Sequence, residues 1–550
     1  MGHNISTDND LGRDIYYYNI PICLKPTKEA CYNSFVSSKL IKNYLGARHM
    51  TIIPFQTKFD KGFPIVSGNA EYTAECDLLR AMDLIITHSG IEYTFIKFFL
   101  DVCYVEKYIC VFGTNQPAEL TAKERETARD NALFALRASV LRKHLRLSLR
   151  RFALATSHSD LYKWFCRINR FATPKVPGKS TIHEYENMIP TRLTLELDAL
   201  VLKSVQNETQ TVLSKPIDFS QCYMDSTCIQ ANIHFPVDWV LLRDATRTMC
   251  KAIKRIRKLG LKNRMPCEPH ELMRQMNTLC IMMTHARRKK GAKKIRKAIL
   301  RKMKKLIKRV AKHAMNHFTL LEQNRLQTGL SINQTNQILN QITLVVDQLA
   351  TAIKNAHDRI IGERKVANND KILSLYEEDV HVIVRHKSGA EVEFGNSLLL
   401  TEQQNGLIVD WKLFQSQAPS DTALLQNSHK RITQRLGVTI GLIAGDRGFD
   451  SQDNRDYLET NHVYNSVCPR DPHKLQARLK EEAFRQGQKR RSQTEARISI
   501  LGRCFSGNPM FQKGFEHREQ HLGLSVFSHN IWVLARLKVV QDKRALEQAA

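Results

Sequence analysis

The chain has 550 residues and carries 83 Lys and Arg against 54 Asp and Glu, a formal charge of +29 at pH 7. Its 42% of hydrophobic residues is enough to build cores, which excludes a wholly disordered chain, and its length suggests about three or four domains. No window approaches about 18 uninterrupted apolar residues, because the most apolar stretch, 84–112, is broken by Glu92, Lys97, Asp101, Glu106 and Lys107, so no membrane partner is expected.

The opening MGHNISTDNDLGRD lacks a basic patch followed by an apolar core, so no secretory leader is expected and the chain reads as cytoplasmic. Region 1–115, rich in Tyr and Cys, fits no pattern. The thirteen cysteines are scattered without any Cys-x-x-Cys and read as small buried hydrophobes kept reduced. The best zinc alternative joins His517 and His521 to Cys468 and Cys504. Thr121 to Ser157 reads as one basic helix with a core stripe at Leu133, Leu136, Val140, Leu145 and Leu149, while Arg142, Lys143, Arg146, Arg150 and Arg151 face elsewhere. Pro174, Pro177 and Gly178 then break the chain, and Ser180 or Thr181 can cap a further helix. Helix, break and capped helix over 116–212 is compatible with a helix-turn-helix-like DNA reader, and equally with a plain helical bundle.

Phe219 to Gln230 suits a central strand, with Asp225 an acid in the middle of a buried element. Pairing, protonation or a bound cation would relieve it, and a hydrogen bond to Ser226 or Thr227 is the simplest alternative. Between Lys251 and Leu320 stand 23 Lys and Arg against two acids, Glu268 and Glu271. There Ile295, Ile299, Leu306, Val310 and Ala314 form an apolar stripe on a cationic helix of about 40 Å. The three-four spacing recurs from Ile338 to Ile360, which predicts a helical hairpin. So dense a positive charge fits a polyphosphate partner, since each cation near a phosphate releases a counterion.

Strands are predicted at His381–Arg385, Glu391–Leu400 and Leu407–Phe414, followed by a helix opened by Pro419, Ser420 and Asp421. The strand VTIGLIAG then stops at Asp446, where Gly445 and Gly448 leave the backbone open to a ligand or metal, although a simple Gly-Asp turn reads the same way. Glu495 is expected in the first turn of a helix continuing through Ile498 and Leu501, with Arg490, Arg491, Arg497 and Arg503 close by, where surface ion pairing is the plain alternative. This order of strands and helices, with acids on the first strand, after the fourth and on a later helix, matches the logic of a ribonuclease H-like α/β fold. Three convergent carboxylates repel one another unless divalent cations neutralise them, and hard oxygen ligands favour two Mg²⁺ or Mn²⁺ ions.

The phrases GKSTIHEY, MDSTCIQANIHFPVDWVLLRDATR, KILSLYEEDVHVIVRHKSGAEVEFGNSLLL, GLIVDWKLF, GDRGFDSQDN, TEARISILGRCF and SHNIWVLARL resemble the DDE transposases of bacterial insertion sequences, in particular the ISNCY group. The resemblance spans about Thr121 to Lys538. It implies that Asp225, Asp446 and Glu495 are the catalytic, metal-binding triad. It also implies that the basic helices are an insertion after the first strand of the catalytic fold. The domains are then 1–115 unmatched, 116–212 a helical DNA-end-binding region, 213–245 with 375–540 catalytic, 246–374 the basic all-α insertion, and 541–550 a tail. Lys293, Lys294, Arg296, Lys297, Lys304, Lys305, Arg497 and Arg503 are the expected DNA-binding cations. Where the family phrase continues Leu-Lys-Arg this chain has Leu501, Gly502, Arg503, which removes one phosphate-contacting cation. The expected protein is a nucleoid-associated transposase that assembles as a homo-oligomer on its element ends and target, both double-stranded DNA. A catalytically inactive, transposase-derived DNA-binding protein is the alternative.

Overall fold

The computed structural model describes residues 62–65, 68–111, 119–169, 174–207, 211–387 and 390–549, and readings that fall on residues 1–61, the leader among them, lie outside these. Before the sheet the described chain is helical: α1 (Ala70–His88), α2 (Ile91–Val111), α3 (Ala122–Leu145), α4 (Leu149–His158), α5 (Asp160–Phe165), α6 (Lys179–Asn187) and α7 (Thr191–Lys203). The single basic helix expected over 121–157 is two. A capping box of Thr121 and Glu124 starts α3, Arg146 ends it in the left-handed region (φ 54), and Ser148 caps α4. Gly178, rather than Ser180 or Thr181, is the N-cap of α6.

Two cations of α3 are internal. Arg137 is fully buried and bridges Asp83 of α1 at 2.5 Å and Glu92 of α2 at 2.7 Å. Lys143, expected to face outward, is also buried, 2.8 Å from His521 and 3.1 Å from Ser525, and burial pushes its amine well below the usual lysine range. Leu79, Ile86, Phe95 and Phe99 of α1 and α2 share one core with Phe134 of α3 and Leu197 of α7, so the break drawn at 115/116 does not separate two cores. The cysteines among the described residues are free. His521 spends its ring on Lys143 and on the Ser506 carbonyl at 2.9 Å, which removes it from the zinc set.

Strand β1 (Gln221–Gln230) opens the sheet and the chain then leaves it for four helices, α8 (Asp238–Lys258), α9 (Pro269–His285), α10 (Ala292–Gln323) and α11 (Ile332–Ile360). These enclose a separate core of Met249, Ile253, Met276, Met303, Ile307, Ile342 and Val345. The predicted stripe of α10 is buried and its cationic face exposed, and α10 and α11 pack as the expected hairpin. That core begins at Trp239, so the insertion starts at α8 and not at residue 246, which falls inside the helix.

The chain returns through β2 (His381–Lys387), β3 (Ala390–Gln403), β4 (Ile408–Leu413), α12 (Asp421–Leu436), β5 (Leu442–Gly445), α13 (Gln452–Thr460), β6 (Tyr464–Val467), α14 (Pro472–Arg478), α15 (Glu482–Ile500) and α16 (Phe515–Ala549). The strands run β4-β3-β1-β5-β6: β3 is antiparallel to β1 and β4, β5 is parallel to β1, and β6 to β5. Gly395 pairs with Gln230 and with His381, so β2 lies end to end with β4 on the outer edge of β3. The predicted strand before Asp446 shortens to β5, and β6 was not anticipated. Strand alternation puts Cys222 and Met224 of β1 on the face that joins the helical core, with α12 and α13. Tyr223, Asp225 and Thr227 point the other way, where α15, the π turn Leu501–Ser506 and α16 bury Ile229, Leu398 and Leu400. The last helix runs through the limit drawn at 540/541.

Candidate active site

Asp225 sits at the middle of β1, paired with Leu400 across the antiparallel ladder and only 9% exposed. Its Oδ1 accepts the Ser226 N–H at 2.8 Å, one of the simple partners anticipated. That bond does not offset its surroundings. Burial, then the negative charge of Asp446, push its carboxyl up from 3.8 to about 6, and Glu495 adds to the rise; the Ser226 N–H and Arg491 pull the other way. The three predicted acids therefore occupy one electrostatic neighbourhood.

Asp446 follows the carboxyl end of β5, beside β1, and is half-buried. Its side chain caps the single turn Arg447–Phe449 by accepting the Gly448 N–H at 2.8 Å. The Gly-Asp turn is thus real, and the same turn holds the carboxylate at the strand end. A side chain at Gly448 would displace the neighbouring carboxylates, since a Cβ there would stand 2.6 Å from Asp421 Oδ2 and 3.0 Å from Asp446 Oδ1. Asp421, read from sequence only as a helix opener, is thereby a fourth acid bordering this loop.

Glu495 lies on α15, not in its first turn but well along a helix that begins at Glu482. The helix is fastened to the sheet at several points. A Cβ at Gly487 would meet Ser466 Oγ of β6 at 2.2 Å, so glycine there lets helix and strand touch. Gln488 donates to the carbonyls of Gly445 at 3.1 Å and Ser466 at 2.5 Å. Glu402 of β3, fully buried, accepts from Arg490 at 2.7 Å, Thr494 at 2.8 Å and Arg497 at 3.2 Å. These ties turn one side of α15 inward, while Glu495 itself is exposed. Arg491, one turn earlier and held to Gln488 at 3.3 Å, is the cation whose charge reaches Asp225.

Buried Asp225, half-buried Asp446 and exposed Glu495 thus run from the sheet toward solvent. Among the described residues no three His, Cys, Asp or Glu side chains converge tightly enough to hold a metal as they stand. The donor chemistry still fits a hard divalent cation, because a carboxylate raised to about 6 by burial first and by its acidic neighbours next is the group such a charge relieves.

The expected DNA-binding cations divide. Lys294, Lys305 and Arg503 are exposed. Lys293 and Lys297 both pair with Glu363, at 3.0 and 2.8 Å, and Lys304 meets His357 at 3.1 Å. Arg296 stacks over the Trp239 ring at 5.2 Å, as does Arg287 at 5.3 Å. Arg497 is committed to Glu402. Compared with family models, curated proteins and solved structures, the chain finds no match.

Proposed function

We propose that the chain is a DDE transposase with a ribonuclease H-like catalytic fold, which binds the DNA ends of its element and performs metal-dependent DNA cleavage and strand transfer. The single observation that carries this reading is that the charges of Asp446 and Glu495 both reach buried Asp225, three acids more than 200 residues apart at the extremes. The strand order supports it: three antiparallel strands β4, β3 and β1 continued by two parallel ones is the order of that fold, with the first acid on its central strand. Asp225 and Asp446, with Glu495, would hold Mg²⁺ or Mn²⁺, two ions of which supply charge neutralisation and activation of the attacking oxygen. Asp225 must be ionised to do so, so the metal competes with its proton and loading weakens as the pH falls below about 6. Arg491 balances the local negative charge, and the exposed cations of the insertion gather the polyanion.

The test is cleavage of a duplex carrying the element ends with Mg²⁺, comparing the chain with Asp446→Asn. Loss of cleavage in the variant is expected, and cleavage that persists undiminished overturns the triad. One observation favours the second reading, an inactive DNA-binding derivative: Gly502 stands where the family has a cation. Under that reading end binding remains and neither protein cleaves.

A further inference from the structure

The exposed cations of the insertion are not evenly spread. Between α9 and α10 runs an open groove of about 880 Å³, lined on one side by Arg274, Gln275 and Thr278 and on the other by Lys302, Lys305 and Arg309. Its one acid, Glu271, is already paired with Arg274 at 3.0 Å, so the groove keeps a net charge of about +3. Lys302, Lys305 and Arg309 stand at i, i+3 and i+7, which places them along one side of α10 over about 10 Å. Projected on a duplex axis, along which one strand rises about 3.4 Å per nucleotide, that length spans about three nucleotide steps. Arg309 is steadied by the Gln275 amide oxygen at 3.2 Å, which leaves the Gln275 amide N–H as an uncharged donor on the groove wall, while the Thr278 hydroxyl donates to the Arg274 carbonyl at 3.1 Å.

We propose that this α9–α10 groove is a phosphate-backbone track for duplex DNA, and that it carries the insertion's affinity in place of the N-terminal turns of α10. The proposal rests on DNA being the substrate. It parts from the sequence expectation in one respect: Lys293 and Lys297 at the start of α10 share Glu363, which leaves about +1 there, whereas the four groove cations have one acid among them and keep about +3. An anionic membrane is the lesser fit, because the groove lining has no aromatic residue and its apolar members are Leu279 and Leu306.

The experiment is duplex binding by the full chain in EDTA, followed by fluorescence anisotropy over a salt series. Two triple variants are compared, Lys302→Gln/Lys305→Gln/Arg309→Gln and Lys293→Gln/Lys294→Gln/Lys297→Gln, both first checked for unchanged melting. The groove variant should bind at least about tenfold more weakly at 0.1 M salt, and its log K against log salt slope should flatten by about two to three. The second variant should stay within about threefold with a slope change below one. Equal loss in both variants, an unchanged groove variant, or groove-dependent binding to phosphatidylserine vesicles without groove-dependent binding to DNA each overturns the proposal. Because the readout omits metal, failure here leaves the triad untouched, and Asp446→Asn should bind DNA normally while failing to cleave it.

Discussion

At the scale of single residues, Asp225 couples chemistry to stability. Its carboxyl is raised from 3.8 to about 6, so the folded chain binds its proton more tightly than the unfolded chain. The contribution of this group to stability is present in full below about pH 4 and is lost as the pH rises through about 6. Asp225→Asn keeps the Ser226 hydrogen bond and removes the charge. In metal-free denaturant unfolding at pH 7.5 it should stabilise the protein by about 2–3 kcal/mol, the cost of holding this carboxylate ionised in its buried, acidic surroundings, while abolishing cleavage. A destabilised variant would show that the carboxylate is a structural partner and not a site held ready for a cation. The acid was visible in sequence because a charge interrupting a run with strand alternation has few purely structural explanations. Its neighbours were only partly visible: Asp421 and Arg491 reach the site through a loop and a helix turn that no local pattern marks. Lys143 was misplaced and Arg137 passed over for the same reason, since their partners Asp83, Glu92 and His521 lie 45 to 378 residues away.

At the scale of elements, strands β1 to β5 and the α10–α11 hairpin were legible from periodicity, whereas the four-residue β6 and the start of α15 were not. EEAFRQGQKRRSQTEAR is almost entirely polar, and its inward side buries Phe484, Gly487 and Thr494 with little hydrophobic signal. That helix is held by polar ties, and substitutions at those ties have distinct expected outcomes. Gly487→Ala forces its methyl against Ser466 and should cost about 1–3 kcal/mol in thermal or denaturant unfolding, with reduced cleavage because Glu495 sits eight residues further along the same helix. Arg497 and Arg503, alike on paper as DNA contacts, should behave oppositely. Arg497→Gln leaves Glu402 short of a partner in a buried ion cluster and should lower stability by up to about 3 kcal/mol with little change in the salt dependence of binding. Arg503→Gln should flatten the salt slope by about one and leave the melting temperature within about a degree. A melting loss at Arg503 with none at Arg497 would reverse the assignment.

At the scale of the whole molecule, two cores share one chain: the sheet with its flanking helices, and the insertion. Each is hydrophobic enough to melt cooperatively by itself, so calorimetry should resolve two transitions, and added duplex should raise one of them, the insertion's, in proportion to its affinity. A single transition shifted as a unit by DNA would mean the two cores unfold together. The composition foretold both cores in outline, and the charge run located the second. It did not foretell that the helices on either side of residue 115 would merge into one body with the sheet, because α16 contributes Leu524, Phe527 and Ile531 to that body from the far end of the chain.

The detour between β1 and β3 has a kinetic consequence. Gln230 touches Glu393 at 3.1 Å across 163 residues of intervening chain, so the central pair of the sheet cannot form until that long loop closes. Helices α8 to α11 make their contacts with one another, the longest-range of them, Arg359 to Asp238, spanning 121 residues and so fewer than the 163 of the whole loop, and they can condense first, shortening the effective loop from an open coil to the span of a folded bundle. The part of the molecule proposed to gather DNA would then also act as the brace that brings the strand bearing Asp225 to its partner. Damage to the insertion's core would slow assembly of the sheet without touching a residue in it.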